Sequence, residues 1–287
     1  MSEKGDVEAL TEVKLTCQLV DGTTIKKSVG TDPTKVSLSR NNLKEVDLIP
    51  LRSCGGLVSL DLAHNQLNEV DLSQLGTESK VERLSLSYNL LKEIDLEPLR
   101  GWKGLKILRL TGCELGKIDL EPLGELKYLE QLSLAFNDLQ EVDLSPLASC
   151  PHLGILSINR NKFRQLDLKP LAECSSLKTL NIGDNGLKSI DLGPLAACKN
   201  LYSLVLNKTP LESIDLSSLD GLTELQGLDL SGNQLKIVDL RPLRHYHEMY
   251  EVNLEDNPLE SLIVPEGFMC ATLKMNTNDI DLIERED

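Results

Sequence analysis

Among the side chains able to bind a metal ion, aspartate recurs most regularly in this sequence. It stands every 24 residues, at Asp47, Asp71, Asp95, Asp119, Asp143, Asp167, Asp191, Asp215 and Asp239. A ladder of carboxylates could hold calcium, but a calcium site needs several oxygens converging on one ion, and this spacing supplies one carboxylate per interval. Proline follows three residues later in seven of the nine intervals. That pattern favours a capping role, in which the carboxylate accepts N–H groups at the start of a short turn.

Cysteine recurs at another fixed position of the same 24-residue interval. It is found there at Cys54, Cys150, Cys174 and Cys198, so three thiols in consecutive intervals could bind a metal ion or form a disulfide. Elsewhere the position holds Trp102, Leu126, Leu222 and Tyr246. Because the position exchanges cysteine with leucine and tryptophan, we interpret it as an apolar slot in the core.

Two short segments resemble fragments of catalytic or zinc sites. His245 and His247 offer two ligands where zinc needs three or four. Cys150 and His152 lack a third group that would orient them in a cleft. The sequence has no phosphate-binding glycine loop, no metalloprotease motif and only four histidines. We therefore expect no enzyme activity, no catalytic residue, no bound metal ion and no cofactor.

The 24-residue interval organises nearly the whole chain. Counting each unit from its first leucine, the units begin at Leu57, Val81, Leu105, Leu129, Leu153, Leu177, Leu201, Leu225 and Met249. Each follows the pattern L-x-x-L-x-L-x-x-N-x-L-x-x-I-D-L-x-P-L, and the frame extends back to Pro33. The unit from Met249 has 21 residues, and a truncated unit begins at Cys270. We expect a solenoid of ten units over residues 33–269, then a truncated repeat and tail over 270–287.

This pattern resembles the leucine-rich-repeat superfamily over about residues 33–283. The second half of each unit, I-D-L-x-P-L-x-x-C, is most similar to the intracellular SDS22-like repeats. The resemblance implies an α/β solenoid, a horseshoe with a parallel inner β-sheet and short α or 3-10 turns on the convex side. It also implies a protein-binding scaffold, with a phosphatase catalytic subunit or a small GTPase as partners that would fit.

Elementary geometry supports the same architecture. Positions 4 and 6 of each unit alternate as in a strand and point inward, whereas positions 3, 5 and 7 point outward. Among the outward residues we expect small polar ones such as Ser87, Ser133 and Ala135 to face solvent. Position 9 is asparagine in most units, and its amide can satisfy backbone groups where the chain leaves the sheet. These residues are Asn41, Asn65, Asn89, Asn137, Asn161, Asn185, Asn233 and Asn257, with Cys113 and Thr209 as replacements.

Residues 1–32 depart from the repeat and predict a β-hairpin cap over the first coil. Apolar residues alternate up to Leu19, and Asp21-Gly22 marks a turn. A three-residue loop with Gly22 left-handed sets Leu19 opposite Thr23 and Cys17 opposite Ile25. A two-residue loop would send Ile25 to the other face, so we expect the longer loop.

The net charge and the residue composition indicate which kinds of partner the protein can bind. The chain of 287 residues has a formal net charge of −15, which disfavours nucleic acid and anionic membranes because both need a basic surface. The polar, acidic start from Met1 to Asp6 does not resemble a signal peptide, and no apolar stretch approaches membrane-spanning length. With seven cysteines, an odd number, we expect a cytoplasmic protein and a monomer.

The candidate partner-binding residues lie on the concave side. Position 8, beside the small strand residues, carries Arg40, His64, Tyr88, Phe136 and Arg160, and the strands add Arg83 and Arg109. Aromatic and arginine side chains are the residue types that dominate interface energetics. We expect a non-catalytic scaffold or regulatory adaptor that holds a protein partner here; the alternative is a surface or structural adhesion module.

The charge on this side changes along the chain. Acidic residues replace the basic ones in later units, at Asp184, Asp229, Glu251, Glu255 and Asp256. We therefore expect a polarised concave face. A partner would dock in one orientation, with its acidic patch toward Arg83, Arg109 and Arg160.

Overall fold

Short strands, one from each coil, build the main sheet. The computed structural model describes residues 12–244, 249–276 and 281–285. In chain order its strands are β1 (Lys14–Leu19), β2 (Thr24–Ser28), β3 (Lys35–Ser37), β4 (Leu43–Val46), β5 (Ser59–Asp61), β6 (Arg83–Ser85), β7 (Ile107–Arg109), β8 (Gln131–Ser133), β9 (Ile155–Ser157), β10 (Thr179–Asn181), β11 (Ser203–Val205), β12 (Gly227–Asp229), β13 (Ile237–Asp239), β14 (Met249–Asn253), β15 (Ser261–Pro265), β16 (Cys270–Lys274) and β17 (Asp281–Arg285).

The main sheet confirms the predicted solenoid of parallel strands. Eleven strands pair in the order β16-β14-β12-β11-β10-β9-β8-β7-β6-β5-β3. Neighbouring strands pair in register, for example Leu180 with Leu204, so equivalent positions of successive coils stack across the sheet. The middle residue of each three-residue strand points into an aliphatic core in which Trp102 and Phe163 are the largest buried side chains.

The outer side of each coil is a 3-10 helix. These helices span Ile49–Ser53, Leu72–Leu75, Glu97–Gly101, Glu121–Glu125, Ser145–Ser149, Lys169–Glu173, Gly193–Ala197, Ser217–Leu219 and Arg241–Leu243. In all nine coils the recurring aspartate accepts a hydrogen bond from the backbone N–H two residues later, at 2.8–3.0 Å. Each aspartate therefore accepts an N–H group at the start of its turn, as predicted. Asp71 is itself the N-cap residue, whereas in the other eight coils the leucine after the aspartate takes that place.

The asparagines form a ladder between coils, as expected. Asn137 is representative: its amide nitrogen donates to the carbonyls of Leu110 and Leu134 at 2.8 and 2.9 Å. Its amide oxygen accepts from the N–H groups of Cys113 and Leu115 at 2.9 and 3.0 Å. One side chain thus satisfies four backbone groups and ties two coils together.

The N-terminal strands β1 and β2 pair with Cys17 opposite Ile25, and the N–H of Leu19 donates to the carbonyl of Thr23. This is the register expected from the three-residue loop, and Gly22 is left-handed with φ of 87°. Strand β1 also pairs antiparallel with β4, and Cys17 is fully buried. The hairpin therefore extends the flank of the first coil and covers apolar side chains there.

At the other end, a small parallel sheet of order β13-β15-β17 was not predicted. Strand β15 pairs in register with β13 of the preceding unit, and after β15 a turn with Gly267 at φ of 67° stands where the preceding unit has a 3-10 helix and leads to β16. The shorter connection explains the missing three residues. Tyr246, which we placed in the apolar slot, lies outside the described residues, as do His245, His247, the segment from Met1 to Asp6 and residues 277–280 of the truncated repeat.

The cysteines of the apolar slot are buried, and the thiols of Cys150, Cys174 and Cys198 each donate to a carbonyl of the preceding coil. Cys174 and Cys198 contact the carbonyls of Leu147 and Leu171 at 3.3 Å. Burial raises the pKa of Cys174 to about 12 and that of Cys198 to about 11. The slot thus favours a small hydrogen-bond donor as well as an apolar group. All seven cysteines are free thiols.

Removing one capping carboxylate tests the aspartate ladder. Asp167 accepts from the N–H of Lys169 at 2.9 Å. Asp167→Ala should lower the free energy of unfolding by roughly 0.5–2 kcal/mol, as loss of a helix cap does, measured by urea denaturation. The control is Asp138→Ala, which removes an exposed ion pair with Lys162 that contributes little.

The same experiment distinguishes capping from cation binding. Neither calcium nor EDTA should shift the melting temperature of the wild-type protein. A rise that saturates at stoichiometric calcium, and that Asp167→Ala removes, would contradict the capping interpretation.

The buried thiols make a second prediction. Iodoacetamide at pH 8 should modify Cys270 and leave the other six thiols intact, because they are buried and the thiolate is the reactive form. Mass spectrometry counts the labels, and all seven thiols should react in denaturant. Cys270→Ser is the control and should take up no label in native buffer. Labelling of Cys174 there within minutes would show that the coils open locally.

Candidate protein-binding surface

The residue at position 8 of every described coil has a left-handed backbone. The φ angles run from 51° to 68° at Arg40, His64, Tyr88, Gly112, Phe136, Arg160, Asp184, Lys208, Gly232 and Asp256. The chain turns here from the strand toward the asparagine ladder, and the N–H of Tyr88, for example, donates to the carbonyl of Thr111 in the next coil at 2.7 Å. The turn places these side chains along one rim of the sheet, which we call the position-8 rim.

His64 and Tyr88 stack on this rim. Their ring centroids are 4.5 Å apart, and the rings are inclined by 15°. Tyr88 also lies against the next coil, because a Cβ atom at Gly112 would come within 2.8 Å of its ring. Glycine at residue 112 therefore leaves room for the tyrosine. The Tyr88 side chain is still 45% exposed, so the stack presents an open aromatic face.

Phe136 and Arg160 form a separate pair farther along the rim. The Arg160 guanidinium lies 4.4 Å from the centre of the Phe136 ring. Its Nε atom also makes an ion pair with Asp184 at 3.1 Å. Phe136 remains 41% exposed. Asp184 thus already neutralises the positive charge of Arg160. A partner at this pair would mainly contact the Phe136 ring.

The other five predicted site residues line one shallow groove of about 530 Å³. Its floor is made of small residues such as Ser59 and Ser85. Its walls include Arg40, His64, Arg83, Tyr88 and Arg109. The structure therefore brings five of the seven predicted residues together and leaves Phe136 and Arg160 apart.

The cations of this groove are little compensated. Arg109 donates to the neutral side chain of Gln131 at 3.0 Å. Within the part of the chain that the structure describes, Arg40 and Arg83 make no ion pair. Asp61, which was not among the predicted site residues, lies half-buried in the groove and accepts the N–H of Ala63 at 3.0 Å. Its place at the outward-facing position 5 of its unit was the available signal.

Three residues expected to face solvent are instead buried: Ser87, Ser133 and Ala135. The Thr111 hydroxyl lies 2.7 Å from that of Ser133 and covers it from the neighbouring strand. The floor of the concave face is consequently closed by contacts between coils.

The opposite edge of the sheet carries a second aromatic stack that the sequence analysis missed. Tyr128 and His152 lie 5.9 Å apart with nearly parallel rings, and Tyr128 is 56% exposed. Cys150 and His152 do not form a nucleophile pair, because the thiol is buried against the Leu123 carbonyl and has its pKa raised to about 11. Outward positions just before each strand were the signal for this stack.

The acidic residues expected in later coils lie on the same concave side. Glu251 pairs with Lys274 at 2.8 Å, and Asp229 accepts the N–H of Ser231 at 3.0 Å. Among the described residues, no group of three or more histidine, cysteine or acidic side chains is placed to hold a metal ion. No described helix is long and apolar enough to cross a membrane.

Comparison with known proteins identifies the repeat. Leucine-rich-repeat models match residues 55–115, 173–196 and 199–259. The structure of internalin C2 from Listeria monocytogenes is 30% identical, over 70% of this chain and 80% of that chain, with a TM-score of 0.56. The chain belongs to the leucine-rich-repeat family.

Other leucine-rich-repeat structures share the fold. A leucine-rich-repeat protein of Leptospira interrogans is 21% identical over 88% of this chain and 72% of that chain, with a TM-score of 0.67. The ectodomain of the receptor kinase GASSHO1/SCHENGEN3 from Arabidopsis thaliana is 23% identical over 94% and 32%, with a TM-score of 0.71. No curated protein matches the chain.

The left-handed backbone at Tyr88 makes a testable prediction. A non-glycine residue in this conformation costs roughly 1–2 kcal/mol, whereas aromatic stacking contributes about 0.5–1.5 kcal/mol. Tyr88→Gly should therefore leave the free energy of unfolding within about 1 kcal/mol of wild type, because relief of strain offsets loss of the stack. Tyr88→Ala keeps the strain and should be the less stable of the two in urea denaturation. The opposite order would show that the left-handed backbone carries no strain, and a loss of well over 1 kcal/mol in Tyr88→Gly would show that the rim tyrosine stabilises the fold.

Proposed function

We propose that this leucine-rich-repeat protein is a non-catalytic scaffold or regulatory adaptor that holds a protein partner on its concave face. The observation that carries the proposal is the presence of large, half-exposed rings at left-handed positions of the rim. Tyr88 and Phe136 have φ of 58° and remain 45% and 41% exposed. Gly112 and Gly232 occupy the same position in other coils without that strain.

A physical argument connects this observation with binding. The rings gain little from burial in the free protein, while their backbone conformation is unfavourable. Strained residues persist where the surrounding structure holds them and are concentrated at functional sites. Exposed aromatic and arginine side chains at the centre of a surface are the residues that anchor interfaces. A partner that covers these rings would supply the missing burial.

The fold neighbours are consistent with protein or peptide ligands. The GASSHO1/SCHENGEN3 ectodomain was solved in complex with CASPARIAN STRIP INTEGRITY FACTOR 2, and the plant peptide hormone receptor RGFR1 in complex with RGF2. For this chain, a phosphatase catalytic subunit or a small GTPase remains our proposal for the partner. The I-D-L-x-P-L-x-x-C pattern and the short 3-10 helices support the further proposal of an SDS22-like subclass.

We also propose a cytoplasmic location and a monomeric state. The seven free thiols support the location, because reducing compartments maintain thiols in that form. The net charge of −15 supports solubility and disfavours nucleic acid as the partner. Free thiols also favour an adaptor over an adhesion module of the cell surface, where disulfides form.

The test combines capture with reconstitution. Wild-type protein and the double variant Tyr88→Gly with Phe136→Gly are compared by affinity capture and mass spectrometry, and the captured protein is then purified and titrated. Because two anchors are removed, affinity should fall by about 30-fold or more, with little loss of stability.

The control is Lys169→Glu, an exposed charge change on the convex 3-10 helix. It should leave the affinity unchanged. If Lys169→Glu abolished binding while the double variant bound normally, the partner would use the convex face and the proposal would be wrong.

A further inference from the structure

The outward residues at position 3 form a row that runs along the solenoid axis. In-register pairing aligns Arg83 with Ile107, Ile107 with Gln131 and Gln131 with Ile155. Arg83 and Ile155 are exposed, and the two residues between them are partly exposed. The row therefore presents a cation at one end and an aliphatic side chain at the other.

The cationic end coincides with the groove described above. Arg83 lies there beside Arg109 and Arg40, and none of the three has an ion-pair partner within the described residues. Guanidinium groups bind carboxylates through paired hydrogen bonds. Three arginines and one carboxylate, Asp61, line this groove, so its net charge is positive although the chain as a whole is acidic, and such a surface favours an anionic ligand. Arg160 contrasts with them, because Asp184 already neutralises it.

The aliphatic end lies in a second, smaller groove. Ile155 is 37% exposed on its strand. It lines a groove of about 410 Å³ together with Lys178, Thr179 and Tyr202. The Tyr202 side chain is 49% exposed. An apolar side chain laid on Ile155 would therefore have an exposed aromatic ring in the same groove.

The distance between the two ends limits the shape of a ligand. Arg83 on β6 and Ile155 on β9 are three strands apart, and at the usual spacing of strands this is about 14 Å. An extended peptide advances roughly 3.3 Å per residue, so about four residues span the distance.

We propose that the partner presents an extended segment along the solenoid axis, with an aspartate or glutamate on Arg83 and Arg109 and an apolar residue about four positions away on Ile155. This proposal rests on the proposed function and names the chemistry that the concave face recognises. Asp61 on the groove floor adds a negative charge, so the site favours a singly charged carboxylate over a phosphate dianion.

The test is selection from a random peptide library displayed on phage, with the purified full chain as bait. Enriched peptides should share an acidic residue and an apolar residue at a spacing of four, within one position. The best peptide is then titrated by fluorescence anisotropy. Arg83→Gln with Arg109→Gln should weaken it by about tenfold or more and abolish the preference for the acidic residue. Ile155→Ser should instead remove the preference for the apolar residue.

Matched controls separate this proposal from its rivals. Arg164→Gln, an exposed arginine away from the concave face, should leave binding unchanged. A phosphoserine version that binds tenfold tighter than the acidic peptide would overturn the carboxylate assignment. Self-association in sedimentation equilibrium that Arg83→Gln abolishes would make a second copy the occupant and also overturn it.

The failure of this proposal is distinguishable from that of the proposed function. If the selected peptides show no acidic preference while the Tyr88 and Phe136 double variant still loses the captured partner, the acidic–apolar segment is wrong and the concave scaffold stands. If both rim and groove variants retain the partner, the proposed function is wrong as well.

Discussion

The structure depends on the hydrogen bonds that one asparagine per coil makes where the chain leaves the inner sheet. At that point backbone groups have lost their strand partners, and each unsatisfied buried group would cost about 1–3 kcal/mol. Asn137 satisfies four such groups in two coils. Cys113 keeps only the donor half of this role, through a 3.3 Å contact with the Leu86 carbonyl. The spacing between coils therefore follows from side-chain chemistry repeated every 24 residues.

That turn also determines where the binding residues stand. To bring the asparagine under the coil, the residue before it adopts a left-handed conformation, and its side chain is directed to the rim instead of the core. A rim residue can therefore change from glycine to tyrosine without disturbing the aliphatic core beneath it. A non-glycine residue at this position strains the backbone locally. Its side chain contacts the rim residues of adjacent coils, as Tyr88 contacts His64. Within each repeat, the asparagine at position 9 and the aliphatic core residues thus stabilise the fold, whereas the residue at position 8 is available for recognition.

Sequence periodicity predicted the contacts that recur in every coil better than the contacts that depend on which side chains two particular neighbouring coils carry. The parallel sheet, the aspartate caps, the asparagine ladder and the hairpin register follow from residue types at fixed positions, and the structure has all four. The pairing of Arg160 with Asp184 and the burial of Ser133 were missed because both depend on side chains in neighbouring coils. The C-terminal parallel sheet was missed because β13 and β15 pair at positions of the unit to which the repeat pattern assigns no strand.

Contacts between coils also decide which charges on the concave face remain available to a partner. Residues one repeat apart at the same position lie side by side, so an acidic residue at position 8 of one coil neutralises the cation of the previous coil, as Asp184 does for Arg160. Arg109 instead has neutral neighbours in the next coil: Ser133 pairs with it across the sheet, and Gln131 accepts its hydrogen bond, so the cation keeps its charge toward solvent. A single substitution can thus switch one coil between structural pairing and ligand binding while the hydrogen-bonded frame stays the same. The charge that the concave face presents to solvent therefore depends on which side chains pair between coils as well as on which residues the coils contain.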